Sequence, residues 1–174
     1  EPRARRRFNP PGGGIMKRMQ RIIVASVSTL ALAACESKQP MAADPAQFVQ
    51  QRQDLMKDNG MRMKAINDFV ESGKGTPADV KMHAEAIQAN ALKIEDLFPA
   101  GTSAEDLPGK SYAKPDIWAK WPEFEKTAYL LEEQAEALAD IAGDGNVEAI
   151  KTQFASVGKN ACGACHQAFR LKKE

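Results

Sequence analysis

The stretch Gly158 to Glu174 reads GKNACGACHQAFRLKKE, and it holds Cys162, Cys165 and His166: two of the three cysteines and one of the two histidines in 174 residues. C-x-x-C-H is the attachment signature of c-type haem. On a helix, Cys162 and Cys165 stand at i and i+3 and His166 at i+4, so the three side chains leave one face. Two thiols can then add to the two vinyl groups of one porphyrin while the imidazole reaches its iron. A thioredoxin-like pair needs a βαβ setting that the chain lacks. A structural zinc site needs four ligands, and Cys35 and His83 are not spaced as a second pair. A Cys162–Cys165 disulfide leaves His166 without a purpose.

Outward from the motif, four segments carry helical periodicity and none alternates with a period of two. The first runs from about Asp44 to Ser72 with Phe48, Leu55, Met56, Met63, Ile66 and Val70 as its stripe. SGKGTPAD breaks it, and Thr76 followed by Pro77 reads as the cap and first residue of the second helix. That helix carries Val80, Ala84, Ile87, Ala91, Ile94 and Leu97 and stops at FPAG. After a loop from Pro99 to Pro115, Asp116 stands to cap a third helix presenting Ile117, Trp121, Phe124, Ala128, Leu131, Leu138 and Ile141. Asn146 caps the fourth, in which Val147, Ile150, Phe154, Val157 and Ala161 lead to the cysteine pair. Four amphipathic helices with two short links and one longer loop predict an all-α, antiparallel four-helix bundle. Sites in such bundles are built from facing helices, so the motif should meet a partner on another helix.

The leading part of the chain has a different character. From Met16, MKRMQRIIVASVSTLALAACESKQP joins a basic segment to an apolar run, Ile22 to Ala34, which is too short for a bilayer-spanning helix. This describes a secretory signal peptide. Residues 16–35 are therefore read as the signal, residues 36–43 as a linker and residues 44–174 as the folded domain. LAAC, ending at Cys35, resembles a bacterial lipobox, which makes Cys35 the lipidation site; cleavage near PMAAD is the competing reading. Residues 1–15 lack a start methionine and support no packed element, so they read as upstream sequence before a start at Met16. The expected location is the periplasm, with a membrane contact only through the N-terminal lipid.

Charge narrows the partners. After residue 35 the chain has 17 Lys and Arg against 22 Asp and Glu, a balance near −5 that argues against a nucleic-acid footprint. An acidic domain favours a redox partner with a basic patch.

The order of four helices with CGACHQAFR near the C-terminus, together with RQDLMKDNGMRM, DLFPAG, KPDIWAKWPEF and Arg170 four residues after His166, resembles the class II cytochromes c, the cytochrome c′ family, over about residues 44–172. The resemblance implies one covalent haem c bound through Cys162 and Cys165, with His166 as an axial iron ligand. Within that family, a distal methionine gives low-spin, six-coordinate iron, whereas an apolar side chain leaves it five-coordinate. Met56 occupies the distal position counted from Arg52, and LMKDNG resembles the low-spin c-556 type. Leu55, Met61 and Met63 compete within a turn or two, and Met63 shares the helix face of Met56; the family pattern favours Met56. The implied function is one-electron transfer between transient redox partner proteins rather than enzymatic catalysis. The alternative is a five-coordinate protein that binds nitric oxide or carbon monoxide.

Supporting residues follow from position. Arg170 lies one turn beyond His166, either beside the haem or as a solvated charge at a helix end. Arg52, one turn before Met56, lies either on a solvated face or near a haem propionate. Trp118, Trp121 and Phe169 read as packing, Tyr112 as a roof over the haem edge, and His83 as an exposed histidine. Family members occur as monomers and homodimers, and the helix composition does not separate the two.

Overall fold

Asp44 caps the first helix: its carboxylate accepts from the Ala46 amide at 2.9 Å, and Pro45 occupies the first helical position, where no amide hydrogen is needed. The computed structural model describes residues 44–172. The proposed upstream segment, the signal peptide with Cys35, and the linker lie outside the described residues.

Helix α1, Pro45–Ser72, ends at Gly73 with φ 68°, a left-handed conformation that glycine adopts without a Cβ penalty. Its buried residues are Val49, Arg52, Asn59, Ile66 and Phe69. The expected stripe is thus rotated: Leu55, Met56, Met63 and Val70 pack against the core only partly buried, because Arg52 and Asn59 turn inward to make hydrogen bonds. Helix α2, Pro77–Ala91, starts at a capping box in which Thr76 and Asp79 satisfy each other's backbone amides. It stops at Ala91, earlier than its apolar pattern, and a tighter turn at Glu95–Leu97 carries Ile94 and Phe98 inward.

The third predicted helix is two. Helix α3, Asp116–Ala119, and helix α4, Trp121–Gly143, meet at Lys120 (φ −127°, ψ 44°). Pro122 explains the break, since it cannot donate to the Trp118 carbonyl and its ring would clash with it. Asp116 caps nothing; it is the first residue of α3, and its carboxylate lies 3.5 Å from Lys120 Nζ. Asn146 does cap helix α5, Val147–Ser156, by accepting from Ala149 N at 3.1 Å.

The chain then widens into a π-helical segment, Val157–Gly163, before helix α6, Ala164–Phe169. The expectation was one continuous α-helix. Gly163 permits the wider turn: a Cβ there would sit 3.2 Å from the Gly158 carbonyl oxygen. Such bulges are rare and concentrate at functional sites.

Helix α4 packs along α2 and against the α5–α6 arm, and α1 packs on α2, giving the four-part bundle. The core runs from Ile66, Ile87 and Leu138 to an aromatic cluster in which the Phe124 ring packs tilted at 60° against Phe98 with centroids 4.8 Å apart and meets Phe169 edge-on at 5.5 Å. Trp118 and Trp121 flank it as packing residues, their indole N–H groups donating to Phe98 O and Glu125. A short antiparallel pairing ties the long loop to the segment after α6: Lys114 N donates to Phe169 O and Leu171 N to Tyr112 O. Among the described residues no helix is long and apolar enough to cross a membrane.

Candidate haem-binding site

A cavity of about 350 Å³ opens beside the aromatic cluster, with Arg52, Met56 and Lys57 of α1 on one side and Cys165, His166 and Phe169 of α6 on the other. Ile94, Phe98, Ile117 and Phe124 line its interior, and Tyr112, Arg170 and Leu171 its edge. Partly buried Cys162 packs against the core and is absent from this wall. It sits in the π-helical segment, whose wider turn alters the register that an unbroken α-helix would give it relative to Cys165. The sequence therefore brings Met56, Cys165, His166, Arg52 and Arg170 to one cavity, and Cys162 to the helix leading into it.

Of the competitors for the distal position, Met61 is 66% exposed. Leu55 and Met63 pack against the core away from the cavity, the Met63 methyl lying 3.7 Å from where a Gly158 Cβ would stand. Met56 lines the cavity.

Burial lowers the His166 pKa below its ordinary value, and the positive charge of Arg170 adds to the effect. The neutral imidazole so favoured keeps a lone pair for a metal. Burial raises the pKa of both thiols, so they rest as thiols; the Cys165 shift is opposed by Thr127 and Arg170. The Thr127 hydroxyl lies 3.5 Å from Cys165 Sγ and donates to Phe124 O at 2.8 Å.

Arg52 is neither solvated nor free. It is 5% exposed, and its guanidinium donates to Thr102 Oγ1 (2.9 Å), Thr102 O (2.5 Å) and Ser111 Oγ (2.7 Å), with Leu97 O at 3.4 Å and the Phe98 ring beneath it at 4.6 Å. Desolvation brings its pKa down to about 10, so it keeps its charge at neutral pH. These neutral acceptors satisfy the cation without a carboxylate. The network escaped sequence reasoning because Thr102 and Ser111 lie in a loop with no periodicity; the juxtaposed polar residues gave no directional signal. His83 also differs from its expectation: it is partly buried, and its Nδ1 has no hydrogen-bond partner.

A helical bundle with paired free cysteines and a histidine at the edge of an apolar cavity defines a haem protein of the c type, with its attachment site at the end of the last helix. The sequence model of cytochrome C′ matches residues 47–170, and the chain belongs to that family. It is 33% identical to cytochrome c′ of Pararhodospirillum photometricum over 128 residues, covering 74% of this chain and 99% of that one. It is 36% identical to cytochrome c-556 of Agrobacterium tumefaciens (strain B2A) over 129 residues, covering 72% and 98%. Among solved structures, a cytochrome c′ described as having ligand-controlled dimer dissociation superposes with a TM-score of 0.69 at 30% identity, covering 75% of this chain and 99% of that one.

Proteins of this family carry one covalently attached haem c. The residues here fit that group: the two cysteines are free thiols, the histidine is held towards neutrality, and the cavity lined by Cys165, His166 and α1 residues has aromatic and aliphatic walls, with Cys162 on the segment leading into it.

Proposed function

We propose that this chain is an electron carrier of the c-556 type, with Cys162 and Cys165 holding the haem, His166 as one axial ligand and Met56 as the other. The observation that supports it is that Met56 and His166 line the same cavity, while Met61 is exposed and Met63 lies beside Gly158 and is not among the lining residues. Relatives of similar identity bear both the c′ and the c-556 names, so the reading rests on this residue.

The haem supplies a one-electron couple. The protein residues do the rest: Met56 fills the distal side, His166 presents a neutral nitrogen, and the phenylalanines exclude water. Held by Met56 and His166, the haem would have a raised potential and no open position for substrate, which suits electron transfer. Arg52 contributes a fixed positive charge to the wall; a haem carboxylate approaching it would compete with Thr102 and Ser111 for its protons. Arg170 sets a second charge beside the proximal imidazole.

The reading includes export to the periplasm, with residues 16–35 as signal and Cys35 lipidated, and association with redox partners as monomer or homodimer. Intact mass of the native protein tests the export part: a mature N-terminus at a diacylated Cys35 supports it, and retention of residues 1–34 refutes it. Optical spectra of the holoprotein test the ligand set. Sharp low-spin bands on reduction with little response to carbon monoxide are expected. A high-spin spectrum that shifts with carbon monoxide would replace the carrier reading with gas binding.

A further inference from the structure

The cavity mouth has a charge opposite to that of the domain. Residues 44–172 hold 15 Lys and Arg against 20 Asp and Glu, a net −5. Yet the cavity lining includes three basic residues, Arg52, Lys57 and Arg170, and no acidic one. The lining residues that reach solvent, and so mark the opening, are Lys57, Arg170 and Leu171.

More cations surround that opening. Exposed Lys110 adjoins it, because its carbonyl accepts from the side chain of the lining residue Gln53 at 2.8 Å. Lys172 follows Leu171, and the Lys114 ammonium donates to the carbonyls of Gln167 and Ala168, just before the edge. Of the acids on the same turn of α1, Asp54 is paired with Lys57 at 3.0 Å and takes two further bonds from Gln50, and Asp58 is paired with Arg62 at 2.7 Å. At the centre of these charges Leu171 presents an apolar side chain, 42% exposed.

The compensating negative charge lies elsewhere. Helix α4 carries Glu132, Glu133 and Glu136, close enough to the exposed Tyr129 phenol to raise its pKa by their charge. The molecule is therefore polarised, with a positive rim at the site and a negative face on α4. For a partner that must approach the cavity, the local potential outweighs the net charge, because beyond about 10 Å exposed charges are screened.

We infer that the redox partner docks on this rim through an acidic surface around its own cofactor. This reverses the polarity expected from composition alone. An apolar spot ringed by lysine and arginine suits a small, transient interface in which charge steers encounter and sets orientation, while the limited apolar area keeps dissociation fast. The inference rests on the electron-carrier reading above.

The test uses reduced holoprotein and two small oxidants of opposite charge, ferricyanide and tris(phenanthroline)cobalt(III), with rates followed between about 10 mM and 0.5 M salt. The rim predicts that the ferricyanide rate falls by about tenfold with salt while the cobalt rate does not fall. The joint variant Lys57→Glu, Lys110→Glu, Lys172→Glu should abolish the ferricyanide fall, and Glu132→Lys with Glu136→Lys should leave it. Poly-glutamate should compete with ferricyanide, and poly-lysine should not.

A ferricyanide rate that rises with salt, or shows no dependence, overturns the inference, as does inhibition by poly-lysine alone. Failure of the carrier reading shows separately, as a high-spin, carbon-monoxide-binding spectrum of the same sample, and the salt dependence can be measured in either spin state.

Discussion

Arg52 donates to both the hydroxyl and the carbonyl of Thr102, at 2.9 and 2.5 Å, and so fastens the long loop to α1 one turn before Met56. A cation buried on neutral acceptors serves as an anchor only while its donors remain. Arg52→Met keeps much of the volume but removes the guanidinium bonds to Thr102 and Ser111, leaving the Thr102 carbonyl only the Ser111 hydroxyl and Ser111 Oγ only the Ala113 amide as donors. The expected loss is about 2–4 kcal/mol in chemical denaturation of the holoprotein. A loss under about 0.5 kcal/mol would mean that water replaces the guanidinium and the anchor is dispensable.

Met56→Ala should convert the holoprotein from six- to five-coordinate iron, seen as loss of the low-spin bands and gain of a carbon monoxide response. Met63→Ala is the matched control, because its methyl lies near Gly158, away from the cavity. The opposite pattern, with Met63→Ala changing the spin state and Met56→Ala silent, would reassign the distal ligand.

The two glycines of the π-helical segment should respond differently to alanine. A Cβ at Gly158 meets only the flexible Met63 methyl at 3.7 Å, so Gly158→Ala should be neutral or stabilising by up to about 1 kcal/mol through helix propensity. A Cβ at Gly163 comes within 3.2 Å of the Gly158 carbonyl oxygen, backbone that cannot swing aside. Gly163→Ala should cost about 1 kcal/mol and lower the yield of attached haem, the residue being flanked by Cys162 and Ala164. Equal tolerance of the two changes would show that the wide turn relaxes freely.

Acid should loosen the α1–α2 contact. Asp58 accepts from Arg62 and from Asn90 of α2, both at 2.7 Å, and its pKa is held below the ordinary value chiefly by the Arg62 bond. A carboxyl depressed in the folded state contributes stability above its unfolded pKa of about 4 and loses it as pH falls through the lower folded value. Because the pair is partly exposed, the contribution is under about 1 kcal/mol. Asp58→Asn should therefore be less stable than the parent at pH 7, with the gap closing below about pH 4; a gap that widens in acid would contradict the assignment.

Periodicity and caps made the bundle legible: Thr76, Pro77 and Asn146 do what their residue types dictate, and Ile66, Ile87, Leu138 and Ile150 are buried. The failures have local causes. Pro122 splits a helix whose apolar stripe runs on without interruption, and Gly163 accommodates a wider turn that no hydrophobic pattern records. Val147 was assigned inward but is 41% exposed, being the first residue of α5. At the site, C-x-x-C-H was legible because its residue types and spacing are specific, whereas Met56 was set apart from Leu55, Met61 and Met63 only by the family resemblance. Arg52 was ambiguous because its partners lie 50 and 59 positions away in a loop, and the sign of the rim was invisible because a charge count has no geography.

Met56 and His166 stand 110 positions apart in the chain, yet share one cavity. Closing that separation carries a large loop-entropy cost that no local helix formation offsets. An early collapsed state can have every helix and a haem held by its cysteines while the α1 wall is still undocked. With Met56 as the proposed sixth ligand, the low-spin spectrum should appear during refolding of the holoprotein after far-ultraviolet helicity has recovered, which would make the iron an internal clock for the last long-range contact.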